Sequence, residues 1–128
     1  MVNEFVKYEQ ALALKELCFD DMCFCYFDNE KELRTCIGLK NWNSHYGFPL
    51  FVSAPLKQQV FRWFREKYNI IGIIEGGYTE GKNVFSYVIW QGHLDDWTDD
   101  IFNTYEEAQN VCIDKLIEIA KQKDNGHN

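Results

Sequence analysis

The sequence predicts an α+β fold with the element order α-ββ-α-ββ-α: a mostly antiparallel four-stranded sheet packed with three helices. Three observations carry that expectation. A two-faced helical pattern closes the chain, two pairs of short β-branched and aromatic runs are each joined by turn formers, and a helix-forming segment precedes each pair.

Residues 5–19, FVKYEQALALKELCF, lack Gly and Pro and are rich in helix formers, which predicts a first helix. Its apolar residues divide between Phe5, Tyr8 and Leu12 on one side and Ala11, Leu14 and Cys18 on another, the pattern of a helix that is deeply packed or meets a partner. Residues 22–28, MCFCYFD, read as a strand, with Asp28-Asn29-Glu30-Lys31 as turn and Leu33 to Leu39 as antiparallel return. Residues 40–53 mix turn formers with aromatics and read as an ordered surface loop. A second helix, capped from Ser53 or Ala54, is expected over Pro55 to Tyr68. It would bury Leu56, Val60, Phe64 and Tyr68, set Phe61 and Trp63 at the edges, and turn Gln58, Arg62 and Arg65 outward. Asn69 to Glu75 and Val84 to Gln91 then read as a hairpin with a long loop over residues 76–83, followed by the acidic loop GHLDDWTDD.

The final helix is the most sharply specified element. Thr104 as N-cap and Glu107 three residues on form the two halves of a capping box. Tyr105, Ala108, Cys112, Leu116 and Ile119, widened by Ile113, Ile117 and Ala120, form a buried stripe, while Glu107, Asn110, Asp114, Glu118 and Lys121 share the wet side. Asp124-Asn125-Gly126 supplies a stop.

Composition sets the broad class. A chain of 128 residues fits one domain, residues 1–128, and its 16% aromatic content implies a core dominated by rings. No apolar run has signal-peptide character or the length to cross a bilayer, so a cytoplasmic protein with no membrane association is expected. Five cysteines without a short secreted framework fit free thiols in a reducing compartment. The net charge of −7 is uneven, because residues 54–68 carry four Lys/Arg against one Asp/Glu while the segments on either side are acidic. An acidic chain argues against direct nucleic-acid binding and leaves room for a basic protein partner.

The segments YEQALALKEL (Tyr8 to Leu17), APLKQQVFRWFREKYNI (Ala54 to Ile70) and TYEEAQNVCIDKLIEIAK (Thr104 to Lys121) together resemble a family of small proteins from phages, prophages and other mobile elements of gut Bacteroidetes. The resemblance spans nearly the whole chain. It implies a setting and carries over no catalytic residue.

Several constellations bear on chemistry. Cys18, Cys23, Cys25 and Cys36 raise a zinc reading, but Cys23 and Cys25 lie in an expected strand with no turn between them, so the residues read as core thiols and no metal or other cofactor is expected. Neither His45 nor His93 has a context that activates a cysteine. His93, Asp95, Asp96, Asp99 and Asp100 are dense in carboxylate but lack the alternating ligands of a calcium loop, and read as a solvated turn with Trp97 as its anchor. Gly72, Gly76, Gly77 and Gly81 match no phosphate-binding pattern and fit strand packing and turns. The preferred functional candidates are Arg62 and Arg65, with Gln58 on the same face and an exposed Trp63 beside them, as a surface for carboxylate or phosphate. The function expected is that of a small accessory or regulatory protein that binds another protein. The alternatives are an acidic mimic of nucleic acid, using the arc from Asp95 to Asp114, and an enzyme of unrecognised type.

Overall fold

The computed structural model describes residues 2–43, 50–92, 94–97 and 100–126, with residues 2, 36, 37 and 94–97 described by their backbone. After a short 3-10 turn at Val2–Glu4 come α1 (Tyr8–Glu16), β1 (Cys23–Phe27), β2 (Leu33–Lys40), β3 (Val52–Ala54), α2 (Lys57–Tyr68), β4 (Ile70–Thr79), β5 (Lys82–Gln91), β6 (Leu94–Trp97) and α3 (Tyr105–Asn125). The fold is α+β. The four expected strands form both expected hairpins, but they belong to two three-stranded antiparallel sheets, ordered β2-β1-β3 and β4-β5-β6, and not to one sheet of four. Each hairpin recruits a third strand from a segment the sequence marks as loop. At three and four residues, β3 and β6 are too short to show an alternating pattern.

The chain divides into two compact units, Met1–Gln59 and Val60–Asn128, with the boundary inside α2. In the first, α1 packs on β3 and buries Ala11 and Leu14 completely. The helix is shorter than its sequence implies because the chain leaves it at Leu17 and passes through Cys18 at φ +67. Cys18 is therefore exposed and Leu12 is 37% exposed, whereas Cys23 and Cys25 are buried. Across β1, Cys25 faces Thr35 on β2 and Ala54 on β3. Ser53 and Ala54 are thus strand residues, not helix caps, and α2 starts at Lys57. Ser53 ties β3 to residues 42 and 43, since its hydroxyl accepts the Trp42 amide at 2.9 Å and its amide donates to Asn43 Oδ1 at 2.9 Å. Tyr26 stacks on Trp42 with centroids 4.1 Å apart, and Phe51 lies 4.8 Å from Tyr26.

The turn between β1 and β2 is organised by Asp28, whose Oδ1 accepts the amides of Glu30 and Glu32 while Oδ2 accepts Arg34 Nε at 2.9 Å. The Glu32 amide, followed by the Arg34 guanidinium, holds the Asp28 carboxyl below the usual carboxylate range.

In the second unit α3 packs on β4 and β5. Of the expected capping box the Thr104 half is present: Thr104 Oγ1 accepts the Glu107 amide at 3.1 Å. Ala108, Cys112, Ile113, Leu116, Ile117, Ile119 and Ala120 are buried, while Tyr105 is 43% exposed and lies edge-on to Phe85. Gly72 is where β4 approaches the helices, because a Cβ there would sit 2.9 Å from Phe61 Cε1 and 3.0 Å from Cys112 Sγ. The long loop expected over residues 76–83 is instead strand on both sides of a two-residue turn, Glu80-Gly81, with Thr79 opposite Lys82. Both turn residues have positive φ, +51 and +80, as a type I′ turn requires. The sequence obscures this because Gly76 and Gly77 resemble loop residues, and Glu80 is an uncommon residue at positive φ.

Candidate partner-binding face on the second helix

The helix α2 is fixed on one side by aromatic residues. Val60 and Phe64 are fully buried and Trp63 is 4% exposed. Trp63 meets Phe64 edge-on at 5.2 Å and Tyr68 at 5.6 Å. The exposed Trp63 of the sequence reading is therefore corrected to a core residue: at 100° per residue it stands next to the buried stripe, and its large ring completes that stripe. Lys67 Nζ stands over the face of its ring, 4.9 Å from the centroid. The end of the helix is held from α3, where Tyr68 Oη donates to Asp124 Oδ2 at 2.9 Å and Lys123 Nζ donates to the Tyr68 carbonyl at 3.5 Å. Asn69 at φ +57 then turns the chain into β4.

The opposite side presents Arg62 and Arg65, both exposed, three residues apart and hence neighbours on the helix surface. Among the described residues neither arginine forms an ion pair, even though Glu66 lies one turn beyond Arg62. An Arg placed before Glu at this spacing is the weaker orientation on a helix, which accounts for the open geometry. Arg65 also stands in the last turn, where a cation complements the helix dipole. Gln58 is exposed in the first turn of α2, within the first unit, so the cationic face is carried by Arg62 and Arg65 in the second.

Asp95 and Asp96 belong to β6, with Asp95 opposite Trp90 and Asp96 opposite Ile89, so part of the expected acidic loop is sheet. Trp97 stands opposite Val88, and Asp100 is exposed. His93 and Asp99 lie outside the described residues.

Two buried thiols, Cys23 and Cys112, are unsuited to nucleophilic work. Burial, then the nearby Asp21, pushes the Cys23 thiol up to about 12, and burial alone pushes Cys112 up to about 12. Cys23 Sγ contacts the Asp21 carbonyl at 3.6 Å and Gln59 Oε1 at 3.9 Å. Among the described residues no group of three or more His, Cys, Asp or Glu side chains could hold a metal ion.

Comparison with protein-family models, with curated proteins and with solved structures gives no match. Among the described residues no helix is long and apolar enough to cross a membrane.

Proposed function

We propose that this is a small cytoplasmic accessory or regulatory protein, in a phage or mobile-element setting, that binds another protein through the Arg62 and Arg65 face of α2. The observation that carries the reading is the pairing of two exposed guanidinium groups, uncommitted to any carboxylate among the described residues, with a helix whose other side is locked by Trp63 and Phe64. A guanidinium offers five N–H donors in a planar fork suited to carboxylate, and a packed helix presents two of them with the backbone already ordered, leaving only the side chains to be fixed on binding. The partner surface that fits is an acidic one.

Mimicry of nucleic acid is the second reading, because the arc from Asp95 to Asp114 carries seven Asp/Glu and no Lys or Arg. Beyond Asp114 the outer side of α3 mixes Glu118 with Lys115 and Lys121, and Lys115 Nζ approaches Glu118 Oε1 at 3.5 Å. That is a mixed, solvated face and not an unbroken row of negative charge. The discriminating experiment is titration of the labelled protein with poly-L-glutamate and with duplex DNA, followed by amide and arginine side-chain NMR shifts. The reading expects shifts at Arg62 and Arg65 with the polyanionic peptide, fading with added salt and absent in Arg62→Ala/Arg65→Ala. Shifts that persist in the double variant, or no shift at all, would overturn it.

A further inference from the structure

β4 is an edge strand: it pairs with β5 on one side and with no described strand on the other. The tight turn fixes which of its backbone groups are free. Thr79 and Lys82 flank a two-residue type I′ turn and so form the closing hydrogen-bonded pair. Counting back by twos, Thr79, Gly77, Glu75, Ile73 and Ile71 direct their amide and carbonyl groups to β5, whereas Tyr78, Gly76, Ile74, Gly72 and Ile70 direct theirs outward. Ile70 is fully buried and Gly72 lies against Phe61. The accessible outward set is therefore Ile74, Gly76 and Tyr78, within a stretch where every residue from Glu75 to Thr79 is exposed.

Natural edges are normally blunted by Pro, by Lys, by bulges or by extreme shortness. This edge has none of these. Ten residues run without Pro or Lys, the register with β5 is unbroken from Ile70 opposite Gln91 to Thr79 opposite Lys82, and Glu75 is the only ionisable group apart from the Tyr78 phenol.

The geometry points to this edge as the seam of a symmetric dimer, in which a second copy of the chain adds its own β4 antiparallel across a two-fold axis at Gly76. That axis maps the accessible set onto itself: Gly76 meets Gly76 of the second copy, and Ile74 meets its Tyr78, in pairs that exchange both backbone hydrogen bonds. Glu75 then faces Gly77 of the second copy, so no like charges meet. Moving the axis to Glu75 would set the two carboxylates opposite each other, which disfavours that register. Tyr78, 73% exposed in the single chain, gains the side chain of Ile74 as a cross-strand neighbour. Two three-stranded sheets become one of six. A seam this short falls at the small end of interfaces, so exchange in the micromolar range or weaker is expected. It uses no residue of α2, and its failure leaves the Arg62 and Arg65 reading untouched.

Sedimentation from about 10 µM to about 1 mM tests the proposal, together with amide hydrogen exchange resolved along β4. A monomer–dimer equilibrium is expected, with protection at Gly76 and Tyr78 rising with concentration while Glu75 and Gly77, already bonded to β5, stay constant. Tyr78→Lys should weaken the dimer by about tenfold or more, and Met22→Lys, at a residue 60% exposed in the other unit, should not. A monomer throughout the range would overturn the proposal. So would a dimer indifferent to Tyr78→Lys, or one lacking the alternating protection pattern.

Discussion

Replacing Gly72 with Ala tests how closely β4 is drawn onto the helices. The added Cβ would stand 2.9 Å from Phe61 Cε1, 3.0 Å from Cys112 Sγ and 3.1 Å from Phe61 Cδ1, against the ~3.5–4.0 Å of an ordinary carbon contact. Cys112 is fully buried, while the half-buried Phe61 ring can yield part of the distance. Overpacking of this kind costs about 1–3 kcal/mol, and the partial freedom of Phe61 places it near the middle of that range. Replacing Gly also restricts the unfolded chain, which returns about 0.4–1 kcal/mol. The net expectation is a loss of about 1 kcal/mol. Gly77 on the same strand is an internal control, because a Cβ there meets only Val84 Cγ2 at an ordinary 3.6 Å, so Gly77→Ala should gain the entropic ~0.4–1 kcal/mol and nothing else. Urea unfolding of the two variants beside the parent should place them on opposite sides of it, separated by about 1.5–2 kcal/mol, or several degrees in melting temperature. Adding Cys112→Ala to Gly72→Ala should give a loss smaller than the sum of the two single changes, since the sulfur is one of the two obstacles. A Gly72→Ala variant as stable as Gly77→Ala would refute the close approach.

Three further outcomes follow from local geometry. Glu80→Asn should stabilise the protein by about 0.5–1 kcal/mol in thermal unfolding, because Asn tolerates the φ of +51 at a type I′ turn that Glu occupies under strain. Brief alkylation at pH 8 read by mass spectrometry should label exposed Cys18 well before Cys23 or Cys112, whose thiols are pushed to about 12, and equal rates would contradict their burial. Because the Asp28 carboxyl is held below its unfolded value, its contribution to stability is complete above that unfolded value, about 4, and is lost as pH falls through the folded one. Asp28→Asn should remove that part of the acid dependence in pH-jump unfolding monitored by tryptophan fluorescence.

The legible parts of the fold were those written in long periodic patterns. α3 could be read almost residue by residue because Thr104 and Glu107 mark its start and the 3.6-residue stripe from Ala108 to Ala120 matches its buried side; the departures are Tyr105, which lies exposed in the first turn, and Asn110, read as wet, which is half-buried. The strands β3 and β6 were hidden because a three- or four-residue strand is specified by what it pairs with, not by its own pattern. The β4–β5 turn was hidden for a different reason: Glu80 is not a residue that advertises positive φ, and Gly76 and Gly77 drew the loop boundary inward. At the candidate site the outward direction of Arg62 and Arg65 followed from helical spacing, whereas the burial of Trp63 depended on Phe64, Tyr68 and Lys67 closing around it. The free edge of β4 could not be seen at all until the strand order was known.

The central claim, that the cationic face of α2 recognises an acidic protein surface, is tested most directly by capture from lysate of the natural host with nuclease present. The parent would be compared with Arg62→Ala/Arg65→Ala, both checked for native circular dichroism. The account requires a protein partner that resists nuclease, is retained by the parent and is lost in the double variant. The same partner held equally by both proteins, or no partner held by either, would contradict it.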